Sequence, residues 1–223
     1  MYRAVLFDID GTLVDSNDAH AHAWAEAFAE SGVRVHFDKV RRSIGMGGDK
    51  LMPAVSGIGE DSSVGQQISR RRGEIFKTKY LPELRPFSAA RDLVAALRAR
   101  GLTVVAASSA KRDELDRLLR IAGVSDLLGE ATSSDDAEES KPDPDIVKAA
   151  LTKANAPAAD ALMIGDTPYD VEAAARAGVS VIAFRCGGWR DTDLRGAAAI
   201  YDGPWDLLAH VDESPVARQR AKL

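Results

Sequence analysis

Hydrophobic positions along the chain gather into short unbroken runs separated by longer amphipathic stretches. Four runs stand out: AVLF (4–7), LTVVAA (102–107), ALMI (161–164) and VSVIAF (179–184). None alternates apolar with polar residues, which is how strands buried on both faces of a parallel sheet read. A weaker run, AAIY (198–201), predicts an edge strand. Helical patterns fill the intervals at 88–100, 111–122, 144–154 and 169–177. Three of them stop at a glycine (Gly101, Gly123, Gly178), where a C-terminal helix cap belongs. Strand alternating with helix predicts an α/β fold with a doubly wound, Rossmann-like, mostly parallel sheet.

One segment departs from this alternation. Residues 16–85 hold no strand pattern, only helical stretches at 18–31, roughly 39–44 and 63–81 with glycine-rich interruptions. About seventy residues is too long for a loop inside a compact domain. The expectation is an inserted α-helical cap domain at 16–85, with 1–15 and 86–213 forming the core domain. The polar end SPVARQRAKL (214–223) is expected to be a disordered tail.

Composition narrows the class. With 223 residues, 45% of them hydrophobic, the chain can bury a core and a smaller partner unit. A net charge of -5 argues against a nucleic-acid surface. The short clusters Arg41–Arg42 and Arg70–Arg72 read as solvated helix faces. The one cysteine, Cys186, excludes an internal disulfide and fits a reducing compartment. MYRAVLFDID does not read as a signal peptide, and no apolar run reaches membrane-spanning length. The protein is therefore expected in the cytoplasm, without nucleic-acid or membrane partners, and as a monomer by default.

The chemistry starts at VLFDIDGTLVDS (5–16). Asp8 and Asp10 follow the first strand, at the carboxyl end where open α/β sheets bind ligands. Residues two apart on an extended chain face one side, so the two carboxylates repel and lose hydration together. A hard cation with oxygen ligands, such as Mg²⁺, would relieve that repulsion. A solvated acidic turn is the plainer alternative. Gly11 can take the positive φ of a tight turn leaving the site.

Together with later segments, this stretch resembles the haloacid dehalogenase-like hydrolases. Their motif DxDGTLxDS is met here, followed in family order by VVAASSAKRDEL with Ser108, ESKPDPDI with Lys141, and MIGDTPYDVEAAARAG with Asp166 and Asp170. Taken singly, each has an ordinary reading. Ser108 suits a helix cap, with Ser109 and Ala110 opening a helix whose amides favour an anion. Lys141 suits a solvated loop, although Pro142 and Pro144 stiffen it. Asp166 and Asp170 suit helix capping. Joint occurrence in order favours the functional reading.

The resemblance implies phosphoryl transfer through an aspartyl-phosphate. Asp8 is then the nucleophile and Asp10 the general acid and base. Ser108 and Lys141 stabilise the phosphoryl group. Mg²⁺ is held by Asp8, the backbone carbonyl of Asp10, Asp166 and Asp170, the last directly or through water. The substrate is a small phosphorylated metabolite. In the cap, DSxxxHxxxW places His20 and Trp24 on one helix face, as in the β-phosphoglucomutase-like branch. His20, Ser109, Gly48 and Lys50 are the candidate substrate-binding residues. SIGMGGDKLM (43–52) reads as a mobile glycine-rich connector from which Lys50 meets an anionic group.

Rival readings differ at named positions. Dehalogenases and phosphonate-cleaving relatives replace the second aspartate, so Asp10 speaks against them. Signalling receivers carry their phosphorylated aspartate in a middle strand and lack such an insertion. A catalytically inactive ligand-binding relative would not need the complete motif set. The closest rival is a β-phosphoglucomutase-like phosphomutase. Its fourth motif usually has two adjacent acids, where this chain has Gly165–Asp166, and its cap carries an arginine where this chain offers only Lys50. Both departures favour an Mg²⁺-dependent phosphatase of the phosphoglycolate phosphatase branch.

Overall fold

A computed structural model describes residues 2–217. Its centre is a six-stranded, wholly parallel sheet in the order β3-β2-β1-β4-β5-β6. Strands β1 (Ala4–Phe7), β2 (Thr103–Ala107), β4 (Ala161–Gly165) and β5 (Ser180–Phe184) coincide with the four apolar runs. The edge strand β6 (Ala199–Tyr201) is also present. The opposite edge strand, β3 (Glu130–Thr132), is three residues long and only Thr132 is buried, so no apolar run announces it.

Helices cover both faces. Helices α5 (Ala90–Ala99), α6 (Arg112–Ile121) and α9 (Pro204–Ala209) pack on one side against Val5, Phe7, Val104, Leu162 and Phe184. Helices α7 (Asp145–Ala154) and α8 (Pro168–Arg176) pack on the other against Leu6, Val105, Met163 and Val181. Alternate strand residues thus feed opposite cores, which is why each run had to be apolar throughout. From β1 the chain builds outward through β2 and β3, then crosses to β4, β5 and β6. The order reverses beside β1, opening a crevice at the carboxyl ends of β1 and β4.

Between β1 and α5 lie four helices: α1 (Asn17–Glu30), α2 (Phe37–Arg41), α3 (Gly48–Ser56) and α4 (Ser63–Ile75). Their apolar residues, Trp24, Phe28, Leu51, Met52 and Ile68 among them, join the core of the α5–α6 side. Helix α3 was not expected. Its start at Gly47–Gly48 and internal Pro53 mask the Leu51, Met52 and Val55 that it buries. The pattern at 63–81 divides into α4, a π-helical turn over Phe76–Tyr80 and a 3₁₀ turn over Leu81–Glu83 that contains Pro82. The tail also differs from expectation. Ser214, Pro215 and Val216 are buried, so the chain packs beyond residue 214; residues 218–223 of the expected tail lie outside the described residues.

Candidate active site

Two strand ends and one helix start deliver the acidic centre. Asp8 follows β1, Asp166 follows β4, and Asp170 sits in the first turn of α8. All three are buried, and their carboxylate oxygens lie within 4.8 Å of one another. Lys141, itself 1% exposed, sets its ammonium 2.5 Å from Asp8 Oδ1 and 2.8 Å from Asp170 Oδ1. One lysine faces three carboxylates, and the imbalance shows in their protonation. Burial pushes Asp8 up to about 7 despite the neighbouring ammonium. Burial, then the charges of Asp170 and Asp8, raises Asp166 well above the carboxylate range. Lys141 goes the other way: burial opposes its charge, but Asp170 and Asp8 outweigh that and keep it protonated.

Each acid is held in place. Asp166 accepts from Thr12 Oγ1 (2.9 Å) and Asn17 Nδ2 (2.8 Å). Asp170 closes a capping box on α8, accepting from Thr167 Oγ1 (2.7 Å) and the Thr167 N–H (3.0 Å) through Oδ2. Its Oδ1 takes no part in the capping box and faces the Lys141 ammonium at 2.8 Å. The capping and metal-site readings of Asp170 are therefore compatible, since the two oxygens divide the tasks. A divalent cation among Asp8, Asp166 and Asp170 fits this arrangement. It would compensate buried charge that Lys141 alone leaves unbalanced, and hard carboxylate oxygens suit Mg²⁺. The Asp10 carboxylate stands outside this group, which leaves its backbone carbonyl as the ligand the resemblance implies.

Asp10 instead belongs to a second network. It accepts from Ser16 Oγ (2.5 Å) and lies 2.8 Å from His20 Nε2. His20 Nδ1 lies 2.9 Å from an Arg72 nitrogen. A guanidinium only donates, so Nδ1 must accept and the Nε2 hydrogen goes to Asp10. Arg72 is paired with buried Glu114 through both carboxylate oxygens (3.2 and 2.9 Å), and its guanidinium lies 5.4 Å from the Trp24 ring centre and 5.3 Å from that of Phe76. His20 stacks on Phe76 at 4.0 Å. Burial would raise Asp10, but its electrostatic contact and hydrogen bond with His20, with Ser16 and Arg72 adding to them, outweigh it and hold Asp10 below the carboxylate range. His20 thus positions Asp10 as well as bordering the cavity.

Several sequence expectations change here. Ser108 is buried after β2, but α6 begins only at Arg112, so Ser108 to Ala110 are loop. The Ser108 hydroxyl accepts the Ala110 N–H at 3.1 Å, a local turn rather than a helix cap. Ser109 lines the cavity with a buried, unpartnered hydroxyl. Gly48 lines it too. Lys50 does not: Glu139 and Asp143, the acids flanking the Lys141 loop, take its ammonium, the latter at 3.2 Å. The arginine clusters are not merely solvated. Arg72 supports His20, and Arg41 donates to Asp18 (2.5 Å) and the Gly187 carbonyl (2.7 Å). Thr12, Asn17, Arg72 and Glu114 were missed. Thr12 lies inside the first motif, yet only tertiary contact reveals its partner. The 185–193 loop, unassigned from sequence, covers Asp166: a Cβ on Gly187 would lie 1.8 Å from Asp166 Oδ2, so only glycine fits.

A cavity of about 180 Å³ opens above Asp8 and Asp10, bounded by the insertion and by the loops after β2 and β3.

Comparison with known proteins agrees with this geometry. The sequence pattern of the haloacid dehalogenase-like hydrolases matches residues 5–184, and the chain belongs to that family. It is 36% identical over 186 residues to Protein SUPPRESSOR OF QUENCHING 1, chloroplastic, of Arabidopsis thaliana, covering 82% of this chain but only 18% of that protein. It is 30% identical over 211 residues to a phosphoglycolate phosphatase of Rhodospirillum rubrum, covering 91% and 88% of the two chains. Among solved structures, a hydrolase from Pseudomonas syringae superposes with a TM-score of 0.86 at 28% identity, over 94% of this chain and 98% of that one. A candidate β-phosphoglucomutase from Bacteroides vulgatus superposes with a TM-score of 0.83 at 25% identity, over 95% and 88%. No helix among the described residues is long and apolar enough to cross a membrane.

Proposed function

We propose that the protein is an Mg²⁺-dependent phosphatase that hydrolyses small phosphorylated metabolites through an aspartyl-phosphate on Asp8. The single observation that carries this reading is the buried ion cluster of Asp8, Lys141, Asp166 and Asp170 beneath the cavity. Such a cluster is expensive unless it receives an ion and a reacting anion.

In this reading the Asp8 carboxylate attacks phosphorus, and Asp10 hands a proton to the leaving oxygen. Asp10 then takes a proton from the water that attacks the aspartyl-phosphate, releasing phosphate. Lys141 holds Asp8 and balances the charge of the transferring group, and Ser108 offers its hydroxyl to the phosphoryl oxygens. Held by Asp8, Asp166, Asp170 and the Asp10 carbonyl, Mg²⁺ would supply charge stabilisation at the phosphoryl group. The insertion acts as a cap domain that excludes bulk water.

Hydrolysis is favoured over mutase chemistry by Gly165. A Cβ there would lie 2.6 Å from Asp170 Cγ, so the adjacent acid of the mutase pattern has no room while Asp170 keeps its place. The test is a phosphate-release screen over phosphorylated metabolites with Mg²⁺, using Asp8→Asn as blank. β-Glucose 1-phosphate with a trace of its 1,6-bisphosphate is included. Asp8-dependent phosphate release is expected. Glucose 6-phosphate forming much faster than phosphate is released from any substrate would assign a mutase instead.

A further inference from the structure

The cavity above Asp8 continues into a second chamber of about 170 Å³, and the two share Asp49, Glu60, Ser109, Ser134 and Ser140. Three carboxylates line the chamber, Asp49, Glu60 and Glu138, with the three serine hydroxyls, and no lysine, arginine or histidine is among its lining residues. Exposed Lys111 and the Glu114-paired Arg72 border the first cavity only. The cation that could have tempered the chamber, Lys50, is drawn away to Glu139 and Asp143.

The acids are not loosely placed. Asp49, in the first turn of α3, accepts from Ser140 Oγ at 2.5 Å, and the same hydroxyl receives the Gly47 N–H at 3.1 Å. Glu60 accepts from Ser69 Oγ at 2.8 Å. A separate observation also calls for a polar ligand. Ser109 Oγ is buried without a partner where the two chambers meet. Such an orphaned hydroxyl is costly unless a bound group completes it.

We infer that this chamber receives the leaving group and selects one that is polyhydroxylated and neutral or cationic, excluding a second phosphate or carboxylate. The inference rests on the phosphatase reading above. An anionic leaving group would bring like charge against Asp49 and Glu60 in a partly desolvated space. Hydroxyl groups could donate to the carboxylates and pair with Ser109, and an ammonium would gain attraction as well. The relative named phosphoglycolate phosphatase is then no guide to this chain's substrate, because phosphoglycolate carries a carboxylate.

The experiment compares three six-carbon phosphate esters of similar size: glucosamine 6-phosphate, glucose 6-phosphate and 6-phosphogluconate. Turnover is followed on the wild type, and binding is followed by calorimetry on Asp8→Asn with Mg²⁺. Both neutral and cationic esters should exceed the carboxylate by tenfold or more in kcat/KM and in affinity. Asp49→Asn with Glu60→Gln keeps the acceptors for Ser140 and Ser69 and should shrink that ratio at least tenfold. Equal treatment of the three esters, preference for 6-phosphogluconate, or a ratio unmoved in the double variant overturns the inference. p-Nitrophenyl phosphate, which has no second charged group, separates the two levels. If it is not hydrolysed in an Asp8-dependent way the phosphatase reading fails, while the binding order still decides the charge preference.

Discussion

The reaction centre and the leaving-group chamber share one cavity system but are built in opposite ways. The centre rests on the ends of β1 and β4, both at the middle of the sheet, and concentrates charge of both signs: Asp8, Asp166 and Asp170 around Lys141. Every charged group there is buried and held by partners such as Thr12, Asn17 and Thr167. The chamber rests on α3, the link to α4 and the loops after β2 and β3; it is one-signed, with acids part-exposed to solvent. Rigid strands place groups to within the tolerance that bond-making demands, whereas loops and an inserted helix set preference. Substitutions in the first region should therefore remove activity, and those in the second should redistribute it.

The largest effect is expected at the nucleophile. Asp8→Asn should lower kcat by about 10⁴-fold or more, the scale on which losing a covalent nucleophile acts, in a protein whose circular dichroism is unchanged. Asp10→Asn should lose roughly 10²–10⁴-fold. Residual phosphate release near the wild-type rate in Asp8→Asn would place the nucleophile elsewhere.

A smaller effect is expected one contact outward. His20→Ala should lower kcat by about 10-fold with KM little changed, because it acts through Asp10. The Asp10 proton affinity, held down by His20, should rise, moving the acid limb of the kcat–pH profile to higher pH. A merely structural histidine would lower Tm without moving that limb.

Metal linkage gives a third measure. The Asp8 carboxyl rises from 3.8 to about 7 on folding, so the folded state prefers its protonated form. Metal-free protein therefore loses stability as pH climbs from about 4 to about 7, by a few kcal/mol at most. Mg²⁺ needs the ionised carboxylates, so the Tm gain on adding it should grow from pH 5 to pH 8. Asp166→Asn should raise the metal-free Tm at pH 8 and abolish the Mg²⁺ gain. A gain independent of pH would separate the cation from this cluster.

The smallest effect is expected at Lys50. Its ion pairs with Glu139 and Asp143 are half-open to solvent, where such pairs contribute about 0–1 kcal/mol. Lys50→Ala should change KM by less than about threefold for any phosphate ester. A selective rise in KM for a doubly anionic substrate would return Lys50 to substrate binding.

The same contrast explains what could be read in advance. The centre was legible because its segments resemble the family's motifs in order, and three of them close apolar runs that read as strands: Asp8 after AVLF, Ser108 after LTVVAA, Asp166 after ALMI; Lys141 follows no such run and was read from the resemblance alone. The six strands lacked only β3, whose EAT sequence carries no apolar signal. The chamber was not legible. Its acids Asp49, Glu60 and Glu138 are far apart in sequence, and nothing local distinguishes them from surface charge. Gly47–Gly48 read as a flexible link, yet α3 starts there, with Ser140 against Gly47 and Trp24 near Gly48. Arg72 looked like one of three solvated arginines, and Arg71 indeed pairs with exposed Glu30 and Glu74. One step along α4, a helical rotation of about 100° turns Arg72 inward onto His20 and Glu114. Distinguishing neighbours on a helix needs the partner surface, which sequence periodicity cannot supply for a polar residue.

The most direct test is chemical trapping. The enzyme is mixed with Mg²⁺ and its best substrate from the screen, acid-quenched within a turnover, and treated with borohydride, which reduces an aspartyl-phosphate to homoserine. Peptide mass mapping should find homoserine at position 8, dependent on substrate and absent from Asp8→Asn. Homoserine at another position, or brisk phosphate release with position 8 unmodified at every quench time, would contradict covalent catalysis by Asp8.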